Sequence, residues 1–390
     1  MPRKRRIAAY VAAGIGIGLV LAVLLVLLLT QTEFGIRRAG SYTVEWLDDR
    51  VQGELSVGRV TSRGGLLAGI TLADVAITGP EGSRFLTADS LRLSYDWRSF
   101  VSGRVVFDAV FVHGADILLE SLPGDTAWNF DRVFAGTGPA GPGTPSPNRL
   151  ILVGGIEIHD SRITLRTSWE PDEGESIEPD DTARIIIQPV PGGLTRVMRF
   201  EDVDATLPRI LWESPFEEGH LFEISALSTR GFVFEDPFLL RDLSGILTLR
   251  DSLVSFDLPT VVFPRSDMEA IGRVVIAGEN QVDARLQGSR IALSDLQWLL
   301  PELPDDGVGD LTLRIQSMPD GGTLWLFSDM RISGVGTDLN GTLGFVTGDS
   351  LYLTRLDLTA DPLNMEMLER LIPGDLPFQG LSVGRVEIRD

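Results

Sequence analysis

Period-two alternation constrains this chain more than any other feature. In "LRLSYDWR" (residues 91–98), Leu91, Leu93, Tyr95 and Trp97 share one face, while Arg92, Ser94, Asp96 and Arg98 share the other. Strand residues point alternately to opposite faces, so this pattern fits a strand with one dry side. "VVFDAVFV" (105–112) likewise groups Val105, Phe107, Ala109 and Phe111. The alternation continues through "SRITLRT", "RIIIQ", "GILTLRD", "SLVSFDL", "QVDARL", "GDLTLRI" and "DSLYLTRLDL", separated by turn signals such as "TGPEGS", "PDGG" and "TGDS". The pattern predicts roughly twenty strands of ordinary length. One short amphipathic helix is expected over Thr43–Leu55.

Strands do not alternate regularly with helices, which argues against a parallel α/β enzyme fold. One apolar face per strand implies a long antiparallel sheet whose dry side must be covered. Either a second sheet stacks on it, or the sheet curls along its length into a groove. Twenty strands in one curled sheet would extend roughly 95 Å.

Residues Ile7–Thr30 contain no charge. As a helix they span roughly 36 Å, enough to cross a bilayer core. The run is longer than the apolar core of a cleaved leader and ends in leucines and a threonine, so a retained transmembrane helix is expected. Arg3, Lys4, Arg5 and Arg6 precede it and set its direction: a cytoplasmic N-terminus, with the chain from residue 31 onward outside. Gly14 and Gly18 stand at the spacing of a helix–helix contact face in the membrane.

The net charge is −21 with those four cations included, so the rest of the chain is more acidic still. Such a body repels phosphate backbones, which excludes nucleic acid as a partner. Cysteine is absent, removing disulfides, thiolate metal sites and a cysteine nucleophile. His113, His159 and His220 lie in separate segments without metal-ligand spacing. His159-Asp160-Ser161 contains the residue types of a triad, but neighbours on a strand face opposite ways. No motif calls for a metal or cofactor, and a non-enzymatic protein is expected.

Two stretches interrupt the strands. "AGTGPAGPGTPSPN" (135–148) alternates glycine and proline and reads as a linker or long edge loop. "EPDEGESIEPDD" (170–181) is rich in carboxylates but lacks the spacing of a calcium loop, and reads as a solvated insertion. A unit then recurs near the end. "LLPELPDDGVGDLTLRI" (299–315) is echoed by "RLIPGDLPFQGLSVGRVEI" (370–388), each placing Leu-Pro and a glycine before an alternating run.

Three stretches together resemble one family. Gly53–Ser121 ("GELSVGRVTSRGGLLAGITLADVAITG…") follows the charge-free run with a cadence similar to the start of the AsmA/TamB-like proteins. "GDTAWNFDRVF" (124–134) resembles that family's Trp-Asn-Phe turn, and the repeated unit resembles its spacer units. The resemblance implies a mainly β protein: an N-terminal transmembrane helix, then an elongated, curled antiparallel β-groove with a few short helices. It implies a single-pass protein of the cell inner membrane, with the bulk of the chain in the periplasm. The implied role is outer-membrane biogenesis, by moving phospholipid along a groove whose partners are acyl chains. Assembly of outer-membrane or secreted proteins with a β-barrel partner is the alternative, and a plain anchored β-scaffold a third.

On that reading the chain divides into a basic tail (1–6), the membrane helix (7–30), an N-terminal β module (31–134), the Gly/Pro linker (135–148), a middle groove region (149–288) and repeat-like units (289–390), the last cut short. Leu91, Leu93, Tyr95, Phe107, Phe111, Ile117 and Leu119 are the candidate groove residues.

Overall fold

The computed structural model describes residues 51–62, 69–95, 106–125, 127–133, 152–169, 186–211, 220–234, 236–276, 281–301, 303–319, 321–334, 336–348, 352–364 and 381–388. The expected membrane helix (7–30) with its flanking Arg3, Lys4, Arg5 and Arg6 and its Gly14 and Gly18, the linker 135–148 and the insertion 170–181 lie outside them. Among the described residues, no helix is long and apolar enough to cross a membrane.

Strands make up 74% and helices 4% of the described residues, so alternation rather than helix propensity organises them. Among the described residues the strands form antiparallel-rich sheets, none of them closed. Two compact units divide the chain, one from residues 1–113 and 132–154, the other from 114–131 and 155–390.

In the first unit, β1 (Glu54–Thr61), β2 (Ile70–Thr78), β3 (Arg84–Tyr95) and the start of β4 (Val106–Ser121) lie side by side, and β5 (Leu152–Val153) runs parallel to β4. The expected helix over Thr43–Leu55 is corrected at its end: Glu54 and Leu55 already belong to β1. Ile70, Leu72, Val75 and Leu93 are buried together, with Leu55, Val57, Val60, Leu86, Leu91 and Val110 against them. The "TGPEGS" turn closes with Gly79 N–H donating to the Ser83 carbonyl at 2.8 Å.

The second unit takes up β4 from Gly114. Beside it run β6 (Ile156–Trp169), β8 (Gly193–Leu207), β11 (Ala226–Phe232) and β12 (Phe238–Leu240), with β7 (Ile187–Val190) also on β8. The same unit holds an eleven-stranded sheet. It starts with β9 (Arg209–Leu211) and β10 (His220–Ile224). A meander follows, of β13 (Asp242–Arg250), β14 (Leu253–Val262), β15 (Asp267–Val275), β16 (Val282–Ala292), β17 (Val308–Ser317), β18 (Thr323–Gly334), β19 (Thr337–Thr347), β20 (Tyr352–Asn364) and β21 (Leu381–Ile388). Every neighbour is antiparallel, as short connections between successive strands require.

Aspartates hold unusual backbone positions in these strands. Asp74, Asp160, Asp202 and Asp329 have φ of 54°, 47°, 51° and 54°. Asp and Asn tolerate this left-handed region better than other side chains. Asp160, Asp202 and Asp329 fall where the pairing register shifts, so they mark bulges that bend and twist the strand. Asp74 is the aspartate of "TLADV" and keeps register opposite Gly58, where an added Cβ would lie 2.9 Å from the Asp74 Cβ.

The repeated unit also acquires a physical meaning. Residues 293–307 join β16 to β17, which pair directly at Ala292 and Val308. The connection begins with a 3-10 turn, Leu293–Leu296, whose Leu293 and Leu296 are both 1% exposed, and Leu303 follows at 4%. It folds onto the apolar face of its own sheet. The second copy stands in the equivalent place, between Asn364 of β20 and its partner Leu381 of β21. Its residues 365–380 lie outside the described set.

Candidate functional site

The apolar side chains of the eleven-stranded sheet form lanes that run across the strands. One lane passes through directly paired residues: Leu247, Phe256, Gly272, Ala284, Ile315, Trp325, Phe345 and Leu353. The next runs from Leu258 through Ala270, Leu286, Leu313, Phe327 and Leu343 to Leu356. Residues paired across a ladder share a face, so each lane is a continuous apolar strip. At the usual strand spacing, the eight strands of the first lane span roughly 34 Å. Phe327 and Phe345 stack between the lanes with ring centroids 6.1 Å apart.

Burial varies along the first lane. Leu313 and Leu343 of the second lane are 0% and 1% exposed, and Ala284, Ile315 and Phe345 of the first are buried as well, while Leu247, Phe256, Trp325 and Leu353 are half-buried. Residues from the 293–303 connection cover part of the face, and so do Leu227, Phe238 and Leu240 of β11 and β12. The opposite face is polar. Arg273, Arg285 and Arg314 line an open cleft of about 520 Å³, and Asp283 lies 3.6 Å from Arg273 and 3.7 Å from Arg314.

The candidate groove residues fall in different places. Leu91 and Leu93 join the core of the first unit. Tyr95 lies in β3 and Phe107 in β4 opposite Val153, but their side chains are outside the described set. Phe111 lies under the guanidinium of Arg92, 3.9 Å from ring centroid to Cζ, whereas its neighbour Val110 packs on the core. Ile117 and Leu119 are half-buried on the part of β4 that belongs to the second unit. The lanes of β13–β20 were not foreseen residue by residue. Their alternation is visible in "GDLTLRI" and "TLWLF", but register is not.

The Trp-Asn-Phe turn is structural. A short helix, α1 (Asn129–Val133), carries Asn129, whose Nδ2 donates to the Leu118 carbonyl at 2.7 Å and whose Oδ1 accepts from Glu120 N–H at 2.9 Å. The side-chain amide thus stands in for a neighbouring strand. Trp128 Nε1 donates to the Asp251 carbonyl at 2.9 Å, and Phe130 meets His220 edge-on at 5.8 Å.

The histidine-containing trio is not assembled as a triad. Ser161 Oγ donates to the His159 carbonyl at 2.9 Å and accepts from Ala115 N–H at 3.0 Å, while the exposed His159 ring faces Asp204 at 3.2 Å. His113 is exposed, 4.0 Å from Asp89, and His220 is 3.9 Å from Asp131. Among the described residues, no three His, Asp or Glu side chains are grouped to hold a metal ion.

No protein-family model, no curated protein and no solved structure matches this chain.

Proposed function

We propose that this chain is a non-enzymatic, inner-membrane-anchored periplasmic protein that carries phospholipid by its acyl chains along an apolar β-groove toward the outer membrane. The reading rests on the AsmA/TamB-like resemblance and on one observation: an apolar lane crosses eight consecutive strands of an unclosed sheet. An acyl chain laid along such a lane leaves water at about 0.8 kcal/mol per buried methylene. The half-buried positions Leu247, Phe256, Trp325 and Leu353 are the accessible parts of the first lane, and curling of the sheet lengthwise would make it a trough.

Native mass spectrometry of the full chain, with extraction of bound lipid, tests this. Several phospholipids per chain are expected. Their number should fall in the Phe256→Asp, Trp325→Asp double variant while its fold is retained, which separates lane-bound lipid from lipid held at the membrane segment. A folded chain whose lipid load ignores that change contradicts the proposal.

The assembly-factor reading draws on a different feature. Among the described residues the eleven-stranded sheet ends at β9 and β21 without closing, and an open strand edge is where a client strand adds.

A further inference from the structure

Among the described residues, Arg196 Nε, Thr167 Oγ1 and Trp298 Nε1 are buried donors of the second unit without a hydrogen-bond partner, as is Arg166 Nε. They are close in the fold. Thr167, 0% exposed, is the direct cross-strand partner of Arg196 on β6 and β8. Arg196 Nη2 donates to the Val233 carbonyl at 3.3 Å, and its Cζ lies 5.2 Å from the Phe234 ring centroid. Phe234 is 6.1 Å from Trp298, which in turn is 4.8 Å from Phe238. Phe238 and Trp298 both pack against the apolar cluster of the eleven-stranded sheet.

A desolvated cation with unmet donors is costly unless something negative satisfies it. Burial pulls Arg196 below the usual guanidinium range, and no carboxylate among the described residues offsets that. A guanidinium with a hydroxyl beside it is a donor set for a carboxylate or a phosphate. The aromatic path through Phe234, Trp298 and Phe238 leads from that donor set to the lanes.

We propose that Arg196 and Thr167 form an anion subsite that takes the charged head of an amphiphile, carboxylate or phosphate, whose chain lies over Phe234, Trp298 and Phe238. This rests on the acyl-carrying reading above and adds to it the chemistry by which a head group is recognised. Ligand selection would follow: a neutral head leaves the buried donors unmet, whereas an anionic head satisfies them.

The test measures binding and thermal stabilisation of the full chain in neutral detergent with four probes. These are oleate, oleoyl lysophosphatidate, mono-oleoylglycerol (the same chain with an uncharged head) and inorganic phosphate (no chain). The wild type should bind the two anionic amphiphiles at least about tenfold more tightly than mono-oleoylglycerol, a step that one charge-assisted contact supplies. Arg196→Met should abolish that preference while still binding mono-oleoylglycerol, and without ligand it should melt no lower than wild type, since it removes an uncompensated buried charge. Arg196→Lys should keep part of the preference. If Arg196→Met does not fold, Thr167→Val carries the test, with a several-fold loss of preference expected from removing one donor.

Equal affinity for oleate and mono-oleoylglycerol in the wild type overturns the subsite but leaves acyl carriage standing. So does a preference that survives both Arg196→Met and Thr167→Val. Inorganic phosphate binding as tightly as lysophosphatidate also overturns it, by marking a free-anion site. Failure to bind any acyl probe overturns both proposals together.

Discussion

Asn129 completes the edge of β4 at Leu118 with its side chain: Nδ2 reaches the Leu118 carbonyl at 2.7 Å while Oδ1 holds the next alternate N–H, that of Glu120. One amide meets two backbone groups that an absent strand would otherwise have paired. Asn129 is 3% exposed, so water does not substitute for it. Asn129→Ala therefore leaves a buried donor and a buried acceptor unmet, and is expected to destabilise by about 1–3 kcal/mol. Asn129→Asp keeps the acceptor but sets a carboxylate oxygen against the Leu118 carbonyl, and should be no better. Urea unfolding of the variants checks both.

Asp329 is held at φ 54° inside β18, at the register shift that separates Phe327 from Met330. Glycine enters that conformation freely, and a β-branched residue does not. Asp329→Gly should change stability little, whereas Asp329→Val should cost about 1–2 kcal/mol. Equal losses from the two substitutions would mean that the side chain, and not the backbone conformation, is what matters at this position.

The two faces of the eleven-stranded sheet should respond differently to truncation. Leu313, 0% exposed in the second lane, is expected to lose about 2–5 kcal/mol on change to Ala. Ile271, 54% exposed on the opposite face, should lose no more than about 0.5 kcal/mol. Thermal denaturation of the pair reads the contrast directly.

Much of this architecture is visible in the residues themselves. "GDLTLRI" and "SLVSFDL" fold within β17 and β14, with Leu311, Leu313, Phe256 and Leu258 on the lane face. Where alternation fails to discriminate, so does the reading of faces. β4 carries Phe107, Ala109 and Phe111 in one phase and Val106, Val110 and Val112 in the other, and Val110 and Val112 are in the phase that meets the core. Hydrophobicity alone does not choose between two apolar phases. The arginine of β3 decides it, because its stem and guanidinium cover Phe111.

The bulge aspartates were hidden for another reason. In "EIHDSRI", "RFEDVDA" and "LFSDMRI" an aspartate reads as one more solvent-facing polar residue, and its left-handed backbone leaves no trace in a period-two pattern. The lanes were hidden because they depend on register, which the turns and bulges between successive strands set and a period-two pattern does not show. Arg196 and Thr167 were hidden likewise: each is an ordinary residue on its own strand until β6 and β8 place them opposite one another.

The most direct test of acyl carriage is site-specific photo-crosslinking in cells that make the full chain and incorporate labelled phosphate into their lipids. A photoreactive phenylalanine analogue is placed at the half-buried first-lane positions Phe256, Trp325 or Leu353, and at Ile271 or Leu326 on the opposite face. Lipid carried on the lanes predicts labelled phospholipid attached at the three lane positions and little at the other two. Equal labelling of both faces, or none at the lane positions in a folded protein, would contradict it.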